Sequence, residues 1–379
     1  MQRTANPWMP VRFRPWPPVS KMIKQITITN FRNHKCSRIP VGNAKNIVIT
    51  GLNGAGKTAI LEAVSLLSGE RGLRGMDIQI LARFDGDGGF SVFAETEDEN
   101  DVCVFLSGGE SNRHAKINNE NVSLNEMAKQ LRIVWLTPKE DRIFVESAAD
   151  RRAFFDRLIA SFDPAHIGRI SRLNKLLTER GGAIKNHADK NWLDALDTQI
   201  ASTAVSVAAA RIRYAGEINY FFENGAVSVN GMVEKLLLEN TAASTEQKYF
   251  EYLQSNRELV GDKMVIDGAH KSDFGLFNKT LGLPAYITST GQQKAILIDL
   301  ILAHTKLIHI KTGAKPIILL DEAVAHLDEK ARIKLFNDLN QADAQVWATG
   351  LDINIFQKIP NALFVTCQNG EISNIVKAE

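Results

Sequence analysis

Three short stretches of this chain hold the residue types that chemistry on a phosphate needs. The first, Gly51-Leu52-Asn53-Gly54-Ala55-Gly56-Lys57-Thr58, has the spacing G-x-x-x-x-G-K-[ST]. Its glycines permit backbone angles that turn successive N–H groups onto phosphate oxygens. The start of the helix expected after it adds partial positive charge. Lys57 can then reach the β- and γ-phosphates of a nucleotide, and the Thr58 hydroxyl can ligate Mg²⁺. The second stretch, Ile317-Ile318-Leu319-Leu320-Asp321-Glu322, ends an apolar run in two acids. Asp321 suits the coordination shell of the nucleotide's metal, and Glu322 suits a base that orients an attacking water. A small-molecule phosphotransferase has no need of that glutamate, so Glu322 favours hydrolysis. The third, Ser289-Thr290-Gly291-Gln292-Gln293-Lys294, runs into an apolar helix-like stretch. It offers hydroxyls, a glycine and amides, and resembles a helix start ready for an anion that nothing nearby in sequence supplies.

Elements must position these groups. "KNIVITG" before the first stretch is a compact β-branched run of the kind that forms a buried strand, and "TAILEAVSLL" after it carries apolar residues at helical spacing. "KPIILLDEA" reads as a second buried strand and "AQVWATG" as a third. "KQITITNF" alternates as a half-buried strand does, residues 77–135 hold short strand-like runs separated by Gly, Asn and Asp, and "ALFVTCQNGEISNIV" closes the chain as a hairpin. Between them, "SAADRRAFFDRLIASF" and the long "NWLDALDTQIASTAVSVAAARIRYAGEINYFF" repeat apolar residues every three or four positions, as in an antiparallel helical arm. Trp135 and Trp192 read as core residues.

The expected fold class is α/β: a P-loop sheet with an antiparallel β subdomain and an inserted short helical arm. Residues 22–146 form the first part of the head with the P-loop, 147–260 the arm, and 261–379 the rest of the head. Residues 1–21, rich in Pro and Trp and without an acid, are set apart as a disordered leader or as sequence upstream of a start at Met22. They lack the apolar core of a secretory signal. The chain has 379 residues, 44% hydrophobic and 23% charged, with a formal net charge of only +2, so any nucleic-acid footprint must be local. Cys36, Cys103 and Cys367 lie far apart, which disfavours zinc and a disulfide framework and fits a reducing interior. No apolar run reaches the length of a membrane span.

Taken together, Gly51–Thr58, the Ser289-Thr290-Gly291-Gln292 signature, Ile317–Glu322 and the following Leu327-Asp328 resemble the ABC-type ATPase heads of SMC-like repair proteins. The closer resemblance is to the RecF family of bacterial recombination and gap-repair ATPases. It is carried by "NFRNHKCSRIPV", "GLNGAGKTAILEAVSLLSGERGLRG", "LTPKEDRIFVESAADRRAFFDRLIASFDPAH", "GAHKSDF", "STGQQKAILIDLILAH" and "PIILLDEAVAHLDEKAR", in the same order over residues 22–357 and weakly across 185–260.

The resemblance implies ATP and Mg²⁺ as cofactors, with Ser289, Gly291, Gln292 and Asp328 completing the site of a second copy in an ATP-dependent homodimer. It implies slow, DNA-stimulated hydrolysis acting as a switch, and DNA at gaps or single-strand/duplex junctions as the substrate class. It also implies recombination mediator proteins that help load a recombinase as partners, the bacterial cytoplasm as the setting, and links to replication restart and the SOS response. The chain departs from the family at Lys271-Ser272-Asp273, which keeps one acid of an expected pair. It has no evident Q-loop glutamine, with Lys139 or Glu140 nearest that place, and no switch histidine after "QVWATG", where Thr349 or Asp352 could serve. Two alternatives stand beside this reading: another short SMC-like ATPase of DNA organisation, and a P-loop phosphotransferase.

Residues 151–190 hold nine Lys or Arg against four acids, enough for a local face that neutralises phosphates without reading bases. Arg151, Arg152 and Arg157 lie on it, although Arg151 and Arg152 could instead brace the arm on the head. Arg71 and Arg74 could contact DNA or a partner head. Arg32 could reach nucleotide phosphates or serve the fold.

Overall fold

Continuous apolar runs survive only where both sheet faces are covered, and the three runs predicted as buried strands share one sheet. The computed structural model describes residues 21–258, 266–324 and 327–377. In chain order, the hairpin β1 (Ile23–Phe31) and β2 (His34–Pro40) leads to β3 (Asn46–Thr50) and helix α1 (Lys57–Leu66). Then come β4 (Phe90–Thr96), β5 (Asp101–Leu106), β6 (His114–Ile117), β7 (Glu120–Val122), the one-turn helix α2 (Leu124–Met127) and β8 (Ile133–Leu136). Helices α3 (Ala148–Ala160), α4 (Ala165–Lys185) and α5 (Lys190–Phe221) follow, then β9 (Gly225–Asn230), α6 (Met232–Glu239) and α7 (Ala242–Ser255). The chain continues with β10 (Asp273–Asn278), β11 (Leu283–Pro284), α8 (Thr290–Thr312), β12 (Ile317–Leu320), α9 (Glu329–Gln341) and β13 (Gln345–Gly350). The hairpin β14 (Ala362–Gln368) and β15 (Glu371–Lys377) ends it.

The central sheet has the order β15-β14-β3-β13-β12-β8, parallel from β14 to β8, with β15 antiparallel at its edge. Alternate side chains enter two different cores. Ile47, Ile49, Trp135, Leu319 and Trp347 pack with α1 and the inner face of a six-stranded antiparallel sheet, β2-β1-β4-β5-β6-β7. Val48, Leu136, Leu320, Val346 and Ala348 pack instead with α3, α8, α9 and the end of α5.

A third core joins α4, α6 and α7 to the first half of α5 through Leu173, Leu176, Leu196, Ile200, Ala204, Val233, Tyr249 and Leu253. This helical insertion is less separate than residues 147–260 suggested. Phe154, Phe155, Leu158 and Ile159 of α3 lie in the head's core, as do Tyr214 and Ile218 of α5, so α5 spans both. β9, inside that range, pairs with β10 beyond it. The expected boundary at 260/261 lies outside the described residues. So do residues 1–20 of the proposed leader, whereas Lys21 belongs to the fold: its Nζ meets Gln130 Oε1 at 2.7 Å and Asp98 at 2.8 Å. Trp135 is buried as expected, but Trp192, at the start of α5, is 47% exposed.

Where α8 crosses the head core it buries His304 between the Ser161 and Tyr214 hydroxyls, at 3.1 and 3.2 Å. Loss of solvation, with the Arg157 charge adding to it, pushes the imidazole down to about 3 from its ordinary value of 6.5. An imidazole with a folded value below its unfolded one stays uncharged where the unfolded chain takes up a proton. Stability is therefore lost as pH falls below about 6.5, until the folded value near 3 is reached. Between pH 7.5 and 5 this amounts to about 2 kcal/mol. Urea unfolding at the two pH values should show His304→Gln losing that much of the pH dependence. An unchanged dependence would mean that His304 takes up its proton inside the fold.

Candidate nucleotide site

The turn from β3 into α1 is built as the phosphate-binding spacing requires. Gly54 and Gly56 hold φ of 78° and 109°, which a side chain would resist. Gly56 is also the N-cap of α1, so the helix begins at Lys57 with its first N–H groups at the cleft. Lys57 is 5% exposed, and its Nζ curls back to donate to the carbonyls of Gly51 (2.7 Å) and Leu52 (2.9 Å). The ammonium that would meet phosphates is thus held over the loop by weak neutral acceptors, which an anion would outcompete.

The two strand ends meet beside it. Thr58 Oγ1 donates to Asp321 Oδ1 at 3.0 Å, although the residues are 263 positions apart. Thr349, at the end of β13, donates to the same oxygen at 2.9 Å and accepts the Glu322 N–H at 2.9 Å. Glu322 itself has φ of 52°, costly for a residue with a Cβ, and Thr349 braces it there. The turn leaves Asp321 buried and Glu322 exposed in the cleft. A hydroxyl and a carboxylate converging within 3.0 Å form the oxygen donor set that suits Mg²⁺.

One cleft of about 740 Å³ collects Arg32, Lys57, Thr58, Arg74, Phe84 and Glu322 among its walls, together with glycines of the loop. Arg32 lines it while bound in a bidentate pair (2.8 and 2.9 Å) to Glu62 of α1, the structural role that was one of its two anticipated roles. Arg74 is exposed and lines the same cleft, and Arg71 is exposed near it in sequence.

The signature turn lies elsewhere. Ser289 caps α8 and forms a reciprocal capping box with Gln292 (3.4 and 3.0 Å). Residues 289–292 are all exposed and none lines the cleft that holds Lys57. Exposed Leu281, Leu283, Tyr286 and Ile287 precede the turn in sequence. Asp328 is also away from the cleft: its carboxylate caps α9 by accepting the Ala331 N–H at 2.8 Å.

Other expectations need correcting. Arg151, Arg152 and Arg157 do not form an open cationic face. Arg151 makes a bidentate pair with Asp273 (2.8 and 2.7 Å), and this pairing holds the Asp273 carboxyl below its usual range. Arg152 donates to the Ser272 carbonyl at 2.8 Å. Arg157 pairs with Glu140 at 3.0 Å and lies 4.6 Å from the centre of the Trp135 ring. All three brace α3 against its neighbours, so reversing their charge would disturb packing before it reported on DNA. The single acid left at Lys271-Ser272-Asp273 is therefore used for structure. Neither candidate for the Q-loop fits that role. Glu140 is buried, accepting the Thr137 N–H at 2.9 Å, and Lys139 points outward. Instead Asp141 pairs with Lys294 of α8 at 3.0 Å, tying the exit of β8 to the signature helix. Of the two switch candidates, Thr349 is in the site, whereas Asp352 caps a short helical turn.

Comparison with known proteins matches this geometry to a family. The profile of the RecF/RecN/SMC N terminal domain matches residues 22–374. A "DNA replication and repair protein RecF" of Mesorhizobium japonicum is 35% identical over 94% of this chain and 98% of its own length. A protein of the same name from Rhizobium rhizogenes is 33% identical over 94% and 99%. Among solved structures, the recombination mediator protein RecF-ATPrS of the RecFOR pathway superposes with a TM-score of 0.81 at 21% identity, over 95% of this chain and 99% of that one. The Smc head domain from Pyrococcus furiosus gives 0.52 at 17% identity, over 94% and 96%. The fold is accordingly the expected ABC-type ATPase head with a short helical insertion, and the chain belongs to the RecF family.

Proposed function

We propose that the chain binds ATP with Mg²⁺ in the Lys57 cleft and acts as an ATP-switched DNA-binding protein of recombinational repair. The observation that carries this reading is a division of labour. Lys57, Thr58 and Glu322 line one cleft, with Asp321 bound to Thr58 just beneath it, while the anion-ready turn at Ser289 lies exposed outside it. A second copy brings the two together: the turn of one chain completes the phosphate site of the other. In that arrangement Lys57 leaves the Gly51 and Leu52 carbonyls for the phosphates. Thr58 and Asp321 are the residues that would hold the metal, which when bound offsets phosphate charge. Glu322 takes a proton from the attacking water. Hydrolysis removes the γ-phosphate that bridges the copies, so the dimer opens.

The relatives' names, and the RecFOR pathway of the solved structures, support DNA repair as the process. On this reading the DNA is gapped or a single-strand/duplex junction, and mediator proteins join in loading a recombinase. The setting is the bacterial cytoplasm, with links to replication restart and the SOS response. No helix of the described residues is long and apolar enough to cross a membrane. A chromosome-organising ATPase fits less well, because α5, at 32 residues, is only about 48 Å long. A phosphotransferase would leave the exposed signature turn without a task.

ATP turnover measured against protein concentration, with and without gapped DNA, tests the composite site. Turnover per chain should rise with concentration, and the DNA should raise it further. A rate per chain that is constant over a hundredfold dilution range would refute the shared site.

A further inference from the structure

The β1–β2 turn and the β14–β15 turn both close on the loop, and Asn33 and Asn369 of these turns also line the cleft. Asn33 Nδ2 donates to the Gly54 carbonyl at 3.2 Å. The Gly370 N–H and the Cys367 thiol both donate to the Ala55 carbonyl, each at 2.9 Å. His34 Nε2 reaches the Gly56 carbonyl at 3.0 Å. Three consecutive carbonyls are therefore gripped from outside by parts of the chain far away in sequence.

The consequence follows from peptide geometry. A peptide unit is planar, and in its trans form the C=O and the following N–H point opposite ways. Holding the Ala55 and Gly56 carbonyls outward therefore aims the N–H groups of Gly56 and Lys57 inward, to where phosphate oxygens would lie. We infer that Asn33, His34 and the 367–370 turn are positioning residues that preform the phosphate cradle of this chain. This rests on the nucleotide reading of the cleft.

His34 is the member best suited to the task. It is fully buried, and a carbonyl can only accept, so Nε2 must carry the proton. Nδ1 is then the acceptor, and the Ser37 hydroxyl donates to it at 2.8 Å, which fixes the ring's tautomer and orientation. Burial lowers the pKa of His34, which keeps this neutral tautomer in place. The fit is close: a Cβ built on Gly56 would stand 2.5 Å from Nε2, and one on Gly370 would stand 2.1 Å from the Asn33 carbonyl oxygen. Glycine at these positions lets the two turns approach the loop. Preformation matters because an ordered cradle spends less of the binding free energy on immobilising itself.

The test compares His34→Leu with His34→Gln in the full-length protein. Both lose the Ser37 contact, but the glutamine amide can still donate to Gly56, so their difference isolates that one bond. Two readouts are used. Hydrogen exchange over residues 50–60 in the nucleotide-free protein reports the cradle directly, and equilibrium binding of ATP with Mg²⁺ reports its consequence. His34→Leu should speed exchange and weaken ATP binding by up to about tenfold, the size expected for one lost hydrogen bond at a carbonyl that keeps only the Ile60 N–H. His34→Gln should restore both. Asn33→Ala, at an exposed side chain that also lines the cleft, should speed exchange over residues 50–60 by a smaller amount. Exchange or affinity in His34→Leu equal to that of the wild type would overturn the inference, as would a glutamine variant no better than leucine. A wild-type protein that bound no ATP would overturn the nucleotide reading instead, and exchange alone would still judge the clamp.

Discussion

Glu322→Gln should lower ATP turnover by about 10²- to 10⁴-fold, the usual worth of a positioned general base, and should leave a dimer that survives gel filtration in ATP and Mg²⁺. The wild type should be monomeric without nucleotide and dimeric with it. The amide keeps the shape of the side chain and its φ of 52°, so neither the Thr349 brace nor the Asp321 contacts are lost. Only the ability to take a proton from water goes. Because the γ-phosphate then persists between two copies, the closed state accumulates. The variant thus separates binding from hydrolysis in one chain. A Glu322→Gln protein that hydrolyses ATP at the wild-type rate would remove Glu322 from the chemistry. A chain that stays monomeric in saturating ATP, variant or not, would remove the sandwich.

Ser289→Arg should abolish ATP-dependent dimerisation and the rise of turnover with concentration, while ATP affinity of the single chain stays within about twofold, as expected for a site remote from the cleft. The position is exposed, so the larger side chain can extend into solvent. Across a composite site, however, its bulk would displace the small hydroxyl from the space meant for a phosphate. The local cost is a lost N-cap, about 1 kcal/mol on α8, well below what unfolding a domain of this size takes. Loss of ATP binding by the monomer would instead place the turn in its own chain's pocket and require a different mechanism.

Much of this architecture is legible because its signals are local. The phosphate loop, its flanking strand and helix, the acid-tipped strand and the capped start of α8 each lie within about twenty consecutive residues. Their backbone preferences and burial pattern follow from neighbours in sequence. The sequence alone thereby determined the fold class, and it singled out Lys57, Thr58, Asp321 and Glu322, which the fold brings together, and a capped turn apart from them.

What it could not determine are pairings between distant strands and helices. Thr349 reaches Asp321 only because β13 and β12 run parallel in a register that sets Ala348 beside Leu320. A slip of one residue would turn that hydroxyl to the opposite face. The same holds for Asn33 and His34 beside the loop, about twenty residues before it in sequence but in contact with it in space. Charge counting failed for the related reason that a run of arginines does not reveal its partners. Arg151, Arg152 and Arg157 found Asp273, the Ser272 carbonyl and Glu140 once the chain folded, and a cation that is internally satisfied is no longer offered to DNA. Helical periodicity likewise marked α3 and α5 but not the cores they enter, since one apolar stripe packs equally well against any complementary surface. Local chemistry was written in consecutive residues; assembly of the cleft, its braces and the limits of the helical insertion depended on strand register and on charges finding partners, which only the tertiary structure decides.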